Sequence, residues 1–456
     1  AGCGNWKCFC NILCFYSIFI YFLPTRLSFL KMRWFHVLMN MKYSKSELSF
    51  NIDQDRVTKI LEPNERPGIE DALRGVQEAL NNPIGVPPLK ELVNRKNPKS
   101  VVIVVNDITR PTPYESLLPP LLENLHASGI SKDQITFLTA TGIHDPHTHE
   151  QNVEVYGKNL VDEYKFVSHC ADDVSSLLEF GELSTGLNLT INRLAAEADF
   201  LITLGVIMPH YFAGFSGGRK SILPGVAGRV CIEKNHSRMV YLMDDLPPLR
   251  RNPVNLEMIE AAKLVGVDFI LNVVTNSKKE IVKIVAGDLE SAWYEGASVS
   301  SDMYDVPIES KADVAIVSAG GYPRDINVYQ AQKALDHADK ATKLGGTIIL
   351  IAECSQGYGE CTFEEWMRDA KRPSDVIERI KKKFAMGGHK AYGICKVAEE
   401  KEIILISSLS KEQTEGLFMR KMDSVEEAIK YAEKKHDRPN YILMPYGSLT
   451  VPALCK

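Results

Sequence analysis

From residue 50 onward, short apolar runs rich in Val and Ile alternate with amphipathic, charged segments. The apolar runs predict strands at residues 100–105, 134–139, 200–204, 269–274, 314–318, 347–351, 403–406 and 441–444. Helical periodicity is visible between them, at residues 116–128, 255–265 and 373–384. This alternation of strand and helix predicts an α/β fold with a mainly parallel sheet in each domain.

The length of the chain and one charged segment indicate where it divides. A chain of 456 residues exceeds an ordinary single core, so we expect two or more domains. Residues 306–311 contain the polar and charged run Glu309-Ser310-Lys311 and precede a new series of strands and helices. We therefore predict an N-terminal α/β domain over residues 41–308 and a C-terminal α/β domain over residues 309–456. Clefts between domains commonly bind ligands, so we expect the active site in the cleft that the second domain closes.

The first forty residues differ from the rest of the chain. Residues 8–23 are almost wholly apolar and aromatic, and four of the ten cysteines lie at positions 3, 8, 10 and 14. The apolar run is short for a membrane span, which takes ~20 residues, and the cysteine spacing matches no common metal-binding pattern. Because Met41 opens a segment of ordinary composition, we expect the fold to begin near Met41 or Met32. Residues 1–40 are then a leader outside the fold.

Composition and charge narrow the class of function. Hydrophobic residues make up 45% of the chain and charged residues 24%, and the formal net charge is −5. That balance argues against a nucleic-acid-binding surface, which needs a basic stripe. The later cysteines are scattered, as in a reducing compartment, and no later run is apolar enough to cross a membrane. We expect a cytoplasmic enzyme whose ligands are small molecules.

Four loops that follow predicted strands carry polar residues, and the first is residues 106–113. Within it, Arg110 could clamp a carboxylate or a phosphate with two hydrogen bonds, and Asp107 could hold Arg110 in place. The alternative is a helix-capping loop with a structural ion pair.

The second loop, residues 139–150, holds three histidines in six residues: His144, His147 and His149. Imidazole is a common metal ligand, so a zinc-dependent hydrolase that uses these three side chains is one hypothesis. However, His147 and His149 lie in a stretch that resembles an exposed helix entry. We expect His144, which directly follows the predicted strand end, to be the functional histidine.

The third loop contains the densest chemistry of the chain. His210, Lys220 and His236 are each able to act as a base, a nucleophile or a metal ligand, and a glycine-rich segment separates His210 from Lys220. The segment misses the P-loop pattern because Arg219 precedes Lys220 where glycine is required. Its glycine N–H groups, beside the two cations Arg219 and Lys220, could still cradle a phosphate, or Lys220 could be a covalent attachment point. A non-catalytic nucleotide-binding protein is therefore a further hypothesis.

The fourth loop leads into a helix of the predicted second domain, with Tyr329, Gln330 and Lys333 near its start. Gln330 and Lys333 are three residues apart, so on a helix they share one face and could grip an anionic substrate across the cleft. His169 and His337 stand alone without a supporting pattern, and we expect both to be structural.

Taken together, these residues resemble those of the nickel-dependent lactate racemases. The resemblance extends from about Met41 to the C-terminus and rests on a set of motifs. These are Asp107-x-Thr-Arg110-Pro, Ala140-Thr-Gly-x-His144, Pro209-His210-x-x-Ala-Gly-Phe-Ser-Gly-Gly-Arg-Lys220, Asn235-His236 and Tyr329-Gln330-x-x-Lys333.

The resemblance implies a racemase or epimerase of a 2-hydroxy acid that uses a nickel pincer nucleotide. This cofactor is a pyridinium mononucleotide that holds nickel through one ring carbon and two sulfurs, and separate cofactor-synthesis enzymes make it. By the same resemblance, Lys220 carries the cofactor through a thioamide and His236 is the fourth nickel ligand, which suits the square-planar preference of nickel. His144 and His210 would be the acid/base pair. Substrate carboxylate or cofactor phosphate would contact five further residues: Arg110, Gln330 and Lys333, with Asp107 and Tyr329 as neighbours.

Elementary chemistry agrees with these implied roles. Removing the α-proton of a 2-hydroxy acid is difficult, because the adjacent carboxylate already bears negative charge. Moving a hydride avoids the carbanion and leaves a planar 2-keto acid, to which the hydride can return on either face. One histidine for the hydroxyl of each enantiomer suits this scheme, since imidazole has an unperturbed pKa near ~6.5. The residues leave open which 2-hydroxy acid or sugar acid is the substrate.

Overall fold

The computed structural model describes residues 36–242 and 246–455. Its strands are His36–Tyr43 (β1), Ser46–Asp53 (β2), Val57–Ile60 (β3), Val101–Asn106 (β4), Ile135–Ala140 (β5), Lys165–Ser168 (β6), Leu177–Glu182 (β7), Asn188–Asn192 (β8), Phe200–Val206 (β9), Pro209–His210 (β10), Gly214–Phe215 (β11), Phe269–Thr275 (β12), Ile281–Gly287 (β13), Asp305–Ile308 (β14), Ala312–Ser318 (β15), Thr342–Ile351 (β16), Glu402–Ile406 (β17), Arg420–Lys421 (β18), Tyr441–Met444 (β19) and Val451–Leu454 (β20). Its α-helices are Ala72–Asn81 (α1), Leu89–Lys96 (α2), Tyr114–Ala127 (α3), His149–Tyr156 (α4), Lys158–Glu163 (α5), Arg193–Ala196 (α6), Arg229–Ser237 (α7), Pro253–Val265 (α8), Ser291–Tyr304 (α9), Val328–Ala341 (α10), Cys361–Asp369 (α11), Pro373–Lys382 (α12), Gly388–Glu400 (α13), Lys411–Glu415 (α14) and Val425–Lys435 (α15).

Two six-stranded sheets organise the molecule. The first has the order β13-β12-β9-β4-β5-β6 and is parallel except for β13, which runs antiparallel to β12. The second has the order β18-β17-β16-β15-β19-β3 and is parallel throughout. The predicted α/β class with mainly parallel sheets is thus confirmed.

The central strands are apolar along their whole length because both faces of each sheet are covered. Every residue of β9 and β12 is buried, as are the first five residues of β4. Continuous apolar runs are typical of parallel sheets with helices on both sides. The eight predicted strands are these central ones, namely β4, β5, β9, β12, β15, β16, β17 and β19.

The connections of the first sheet place its polar loops together. From β4 the chain moves outward to β5 and β6, and later to the opposite side through β9 and β12. The strand order therefore reverses next to β4, and ligands bind at such a reversal, outside the carboxyl ends of the strands. The loops after β4, β5 and β9 all leave from that edge.

The N-terminal strands lie with the second sheet, β3 as its edge strand and β1 and β2 as a separate hairpin, although the sequence placed them in the first domain or in the leader. Strand β3 pairs with β19, and the β1–β2 hairpin packs Met41, Phe50 and Ile52 against that sheet. Residues 36–40, assigned to the leader, are the first part of β1. The alternating pattern of a hairpin with one buried face is short and weak, which is why the sequence did not reveal it. The division near residue 308 stays a prediction, and the expectations for residues 1–35, including Met32, lie outside the described residues.

The chain crosses between the sheets twice, and the two crossing segments lie side by side. The first crossing follows β3 and the second follows α9. The backbone N–H of Asn64, in the first segment, donates to the carbonyl of Met303 at 2.7 Å, next to the second. Across the described residues, none of the helices combines the length and the apolarity that spanning a bilayer takes.

Candidate active site

A single cavity lies between the carboxyl edge of the first sheet and helices α10 and α13 of the second half. The nine residues predicted for the site all line it: Asp107, Arg110, His144, His210, Lys220, His236, Tyr329, Gln330 and Lys333. Strand ends separated by more than a hundred residues in sequence thus meet at one surface.

Asp107 and His144 form a hydrogen-bonded pair across the loops that follow β4 and β5. Nδ1–H of His144 donates to Oδ2 of Asp107 at 2.5 Å, and the hydroxyl of Thr109 donates to the other carboxylate oxygen at 2.7 Å. The Asp107 side chain is only 5% exposed, whereas that of His144 is 47% exposed. Burial raises the pKa of Asp107, but the hydrogen bond and the charge of His144 outweigh that effect and lower it overall. Because a carboxylate can only accept a hydrogen bond, it fixes the tautomer of His144 that carries its proton on Nδ1. Nε2 of His144 is then free to accept a proton.

His147 supports the loop after β4 and does not belong to a metal cluster. The backbone N–H of Ile108 donates to Nε2 of His147 at 2.9 Å, and Nδ1 of His147 donates to the side-chain Oδ1 of Asn152 at 3.0 Å. Both ring nitrogens are therefore used within the protein. His149 is exposed at the start of α4. Throughout residues 36–242 and 246–455, no group of three or more His, Cys, Asp or Glu side chains could hold a metal ion.

The loop between β9 and α7 is shaped by two glycines. Gly217 and Gly218 have φ of +76° and +51°, in the left-handed region. A Cβ at Gly218 would lie 2.8 Å from Cδ1 of Trp293, and one at Gly217 would lie 2.9 Å from a side-chain carbon of Ile207. Glycine is therefore required at both positions for the loop to pack against the sheet and turn toward the cavity.

Arg219 holds this loop from the inside and does not reach the cavity. It is fully buried. Its guanidinium donates to Oδ1 of Asn255 at 2.8 Å and lies 3.6 Å from the ring centroid of Trp293. It also donates to the backbone carbonyls of residues 213 at 2.9 Å, 215 at 2.8 Å, 216 at 3.3 Å and 217 at 3.2 Å. Sequence reasoning placed a second cation beside the proposed phosphate cradle, and that expectation was wrong for Arg219.

Lys220 follows Arg219 in the same 3-10 turn but points the other way, into the cavity. Its ammonium lies 5.7 Å from the ring centroid of Phe212. No carboxylate of the described residues forms an ion pair with it. Burial lowers the pKa of Lys220 well below its ordinary value, and the nearby charges of Arg219, Arg110 and Lys333 lower it further. A lysine with a lowered pKa offers a neutral, nucleophilic amine.

His210 and His236 both present imidazole nitrogens without protein partners. Nδ1 of each ring is buried and has no hydrogen bond. Burial, followed by the charge of Lys220, lowers the pKa of His236 to about 3. The same two causes lower the pKa of His210 well below its ordinary value. Buried polar atoms are normally hydrogen-bonded, so these two indicate a ligand that the protein holds at this cavity.

The second half contributes cations and an amide from the first turns of α10. Nζ of Lys333 donates to the side-chain oxygen of Gln330 at 3.1 Å. Burial lowers the pKa of Lys333 well below its usual value, with added effects from Arg110 and Lys390. Burial also raises the pKa of Tyr329 to about 12, so its hydroxyl stays protonated. Within residues 36–242 and 246–455, Asp107 is the one carboxylate that lines the cavity, and it is already hydrogen-bonded to His144.

His389 and Lys390 also line the cavity, and neither of them was predicted from the sequence. His389 and Lys390 lie in the first turn of α13 and are 4% and 3% exposed. Neither follows a strand, and neither belongs to a motif that the sequence analysis singled out. The Gly-Gly-His-Lys run at 387–390 resembles the glycine-rich run before Lys220, and that was the available signal.

The two isolated histidines are structural. Nε2 of His169 is 2.9 Å from the carbonyl of Ala227, and its Nδ1 is 3.2 Å from the amide nitrogen of Asn192. Nδ1 of His337 is 2.7 Å from the carbonyl of Gly447. Burial lowers the pKa of His169 to about 4 and that of His337 to about 3.

Comparison with known proteins gives matches along most of the chain. Residues 43–244 match the model of the lactate racemase N-terminal domain, and residues 308–449 match that of the lactate racemase C-terminal domain. A lactate racemase of Thermoanaerobacterium thermosaccharolyticum is 36% identical over 409 residues, which cover 87% of this chain and 94% of the relative. A lactate racemase of Lactiplantibacillus plantarum is 39% identical over 307 residues, which cover 67% of this chain and 71% of the relative.

Solved structures agree with the sequence matches. The lactate racemase apoprotein from Thermoanaerobacterium thermosaccharolyticum superposes with a TM-score of 0.85 at 34% identity, covering 91% of this chain and all of that one. A protein from Thermotoga maritima superposes with a TM-score of 0.62 at 19% identity, covering 86% of this chain and all of that one. At that identity, the second match speaks for the fold alone.

Proposed function

This chain belongs to the lactate racemase family, and from that premise we propose that it interconverts the enantiomers of lactate or of a related 2-hydroxy acid. The resemblance found in the sequence is thereby confirmed, and the chain is an isomerase of the racemase type. The observation that carries the proposal is the meeting of His144, His210, Lys220 and His236 at one cavity.

The family implies a nickel-dependent enzyme, and the residues of the cavity fit a nickel pincer nucleotide. Lys220 would hold the cofactor covalently, because its amine is unpaired and has a lowered pKa. His236 would supply the fourth nickel ligand, since imidazole suits nickel and Nδ1 of His236 lacks a protein partner. When bound, the cofactor supplies the acceptor and donor of a hydride. Enzymes that make the cofactor would be partners of this chain.

His144 and His210 are the acid/base residues of the proposed reaction. Asp107 holds Nδ1–H of His144, so the free Nε2 can take the hydroxyl proton of one enantiomer and return it. His210 is kept neutral by burial and nearby cations, so it can accept the hydroxyl proton of the other enantiomer. Each histidine thus moves a proton at the substrate oxygen while the α-carbon changes its configuration.

The remaining residues bind charge. Arg110 lies on the first half of the molecule and Lys333 on the second, so a carboxylate or phosphate bound between them is attracted by both side chains. Gln330 orients the ammonium of Lys333 through their hydrogen bond. Tyr329 offers a protonated hydroxyl beside them, and Asp107 acts through His144.

The two alternative functions have weaker support. A zinc hydrolase needs the His144, His147 and His149 cluster, but His147 is used within the protein and His149 is exposed. A non-catalytic nucleotide-binding protein accounts for the glycine-rich loop but leaves the two unpartnered histidines without a role.

The test is to make the full chain together with the cofactor-building enzymes and measure intact mass, bound nickel and chirality of lactate. We expect the parent protein to carry a mass adduct that is absent from Lys220→Ala. We also expect the parent protein to bind nickel and His236→Ala to lose it. His149→Ala is the matched control, because this exposed histidine lies outside the cavity. Loss of nickel in His149→Ala, or an adduct that persists in Lys220→Ala, would contradict the proposal.

A further inference from the structure

The wall of the cavity formed by α13 has no role in the proposed reaction. This helix begins at Gly388, is 13 residues long and has no side chain capping its first turn. The first turn of a helix carries unpaired N–H groups and partial positive charge, and so attracts anions. Gly387, before the first turn, has a φ of +83°.

Lys390 adds a full positive charge in that turn. Its ammonium is buried, donates to the side-chain oxygen of the neutral Gln332 at 2.7 Å, and lines the cavity. Burial lowers the pKa of Lys390 to about 8, and the charge of Asp336 opposes that shift. The side chain is therefore mainly charged at neutral pH, although no carboxylate of the described residues forms an ion pair with it.

His389 provides an independent sign that a ligand belongs here. It is 4% exposed, lines the cavity, and its buried Nδ1 has no hydrogen-bond partner. Its ring is held between aromatic neighbours, 6.1 Å from Phe384 and 6.2 Å from Tyr329, measured between ring centroids. A polar nitrogen buried this deeply normally has a partner.

The position of Lys390 favours the substrate over the cofactor phosphate as that partner. Its ammonium lies 4.7 Å from the ring centroid of Tyr211, which in turn stacks on His210 at 5.1 Å. It also lies 5.4 Å from the ring of Tyr329, next to Gln330. Lys390 is therefore on the side of the cavity where the proposed acid/base histidine and the proposed carboxylate-binding residues stand.

We propose that His389, Lys390 and the first turn of α13 form a second anion-binding subsite, which takes the far carboxylate of a 2-hydroxy dicarboxylic acid. Arg110 and Lys333 bind the carboxylate next to the reacting carbon. The inference rests on the proposed racemase function and specifies its substrate class. On this basis malate, whose two carboxylates flank a 2-hydroxyl carbon and a methylene, is racemised more efficiently than lactate.

The experiment compares kcat/KM for malate and lactate by chiral chromatography in the cofactor-loaded protein and in Lys390→Gln. Because a hydrogen bond to a charged group is lost, we expect the malate-to-lactate ratio to fall ~10-fold or more. Lys390→Arg keeps the charge and should retain part of the preference. Lys381→Gln removes an exposed lysine on α12 and is the matched control, with both activities retained.

A second measurement separates failure of the subsite from failure of the proposed function. Succinate has two carboxylates and no hydroxyl, so its binding, followed by calorimetry, does not depend on racemisation. If Lys390→Gln weakens succinate binding ~10-fold, the subsite is supported. This holds even if neither malate nor lactate is racemised, a result that would contradict the proposed function alone. An unchanged malate-to-lactate ratio of kcat/KM in Lys390→Gln would overturn the subsite. Reduced cofactor loading in this variant would also overturn it, because Lys390 would then bind the cofactor phosphate.

Discussion

The two histidines proposed as acid/base groups stand in opposite electrostatic surroundings. His144 is exposed and donates Nδ1–H to the carboxylate of Asp107. His210 is buried, and burial together with the charges of Lys220, Lys333 and Arg110 lowers its pKa and favours its neutral form. Two residues with the same side chain thus stand in different surroundings, one paired with a carboxylate and the other enclosed among cations.

Replacing Asp107 tests the role of that neighbour. Asp107→Asn keeps the shape of the side chain but removes the carboxylate that accepts Nδ1–H of His144 and fixes its tautomer. We expect kcat for racemisation to fall ~10²-fold or more, the scale of general acid–base effects, while the mass of the Lys220 adduct stays the same. Asp145→Asn, at an exposed position nearby, is the control. An unchanged kcat in Asp107→Asn would remove Asp107 from the mechanism.

His169 makes the stability of the fold depend on pH. Its folded-state pKa of about 4 lies below the ordinary 6.5, so below pH 6.5 the unfolded chain takes up a proton that the folded chain refuses. Stability therefore falls as the pH falls from 6.5 toward 4, by ~1.4 kcal/mol per pH unit.

The variant His169→Gln isolates this effect. It keeps a donor and an acceptor but cannot titrate, so it is less stable than the parent at pH 7 and loses less on acidification. From urea unfolding, we expect the difference in the free energy of unfolding between the parent and His169→Gln to become smaller by about 2 kcal/mol from pH 7 to pH 5. His149→Gln, at an exposed histidine, gives the baseline. A gap that is independent of pH would mean that His169 titrates normally in the folded state.

At the scale of elements, sequence predicted the centre of each sheet and missed its edges. The edge strand β13 has seven residues, three of them only partly buried. The central strands are continuous apolar runs, whereas the other edge strands, β3, β6 and β18, have four residues or fewer. A strand this short has too few positions for its pattern to be distinctive. The predicted helices at 116–128, 255–265 and 373–384 correspond to α3, α8 and α12, with ends that differ by two residues or fewer.

The candidate site shows the same limit. Residues that end a buried strand were predictable, because parallel strands bring their carboxyl ends to one edge. His389 and Lys390 begin a helix in the second half, so only the three-dimensional packing of α13 brings them to the cavity. Arg219 and Lys220 are neighbours of like charge in the sequence. The sequence alone does not show that Arg219 points into the core and Lys220 into the cavity, because the packing of Arg219 against Trp293 determines the two directions.

We expect the conformation of the whole loop that carries Lys220 to depend on Arg219. Arg219→Lys cannot reach the carbonyls of 213, 215 and 217 together, so several buried acceptors lose their donor. We expect the free energy of unfolding to fall by at least about 3 kcal/mol, and the Lys220 adduct to be reduced. Chemical denaturation and intact mass measure the two effects. Arg251→Lys, on the surface, should change neither, and full retention of both in Arg219→Lys would contradict this account.

At the scale of the whole molecule, the N-terminal hairpin is part of the core beneath the second sheet. Phe50 is 1% exposed and packs with residues of β15, β16 and β17. Phe50→Ala should therefore cost ~3–5 kcal/mol of stability through the cavity it leaves. Leu38→Ala, in the same hairpin at 60% exposure, is the matched control and should change stability by less than ~0.5 kcal/mol. Equal effects in the two variants by urea unfolding would mean that the hairpin does not pack on the sheet.

The paired crossings of the chain near Asn64 and Met303 join two halves that share one apolar core. Buried residues of both halves belong to a single cluster, and the hydroxyl of Tyr392 on α13 donates to the backbone carbonyl of Val240 at 3.2 Å. His144 and Lys220 belong to one half, and Lys333 and Lys390 belong to the other. The packing of the shared core therefore sets how far apart the proton-transferring and the charge-binding groups stand, so we expect a substitution that loosens this core to lower stability and activity together.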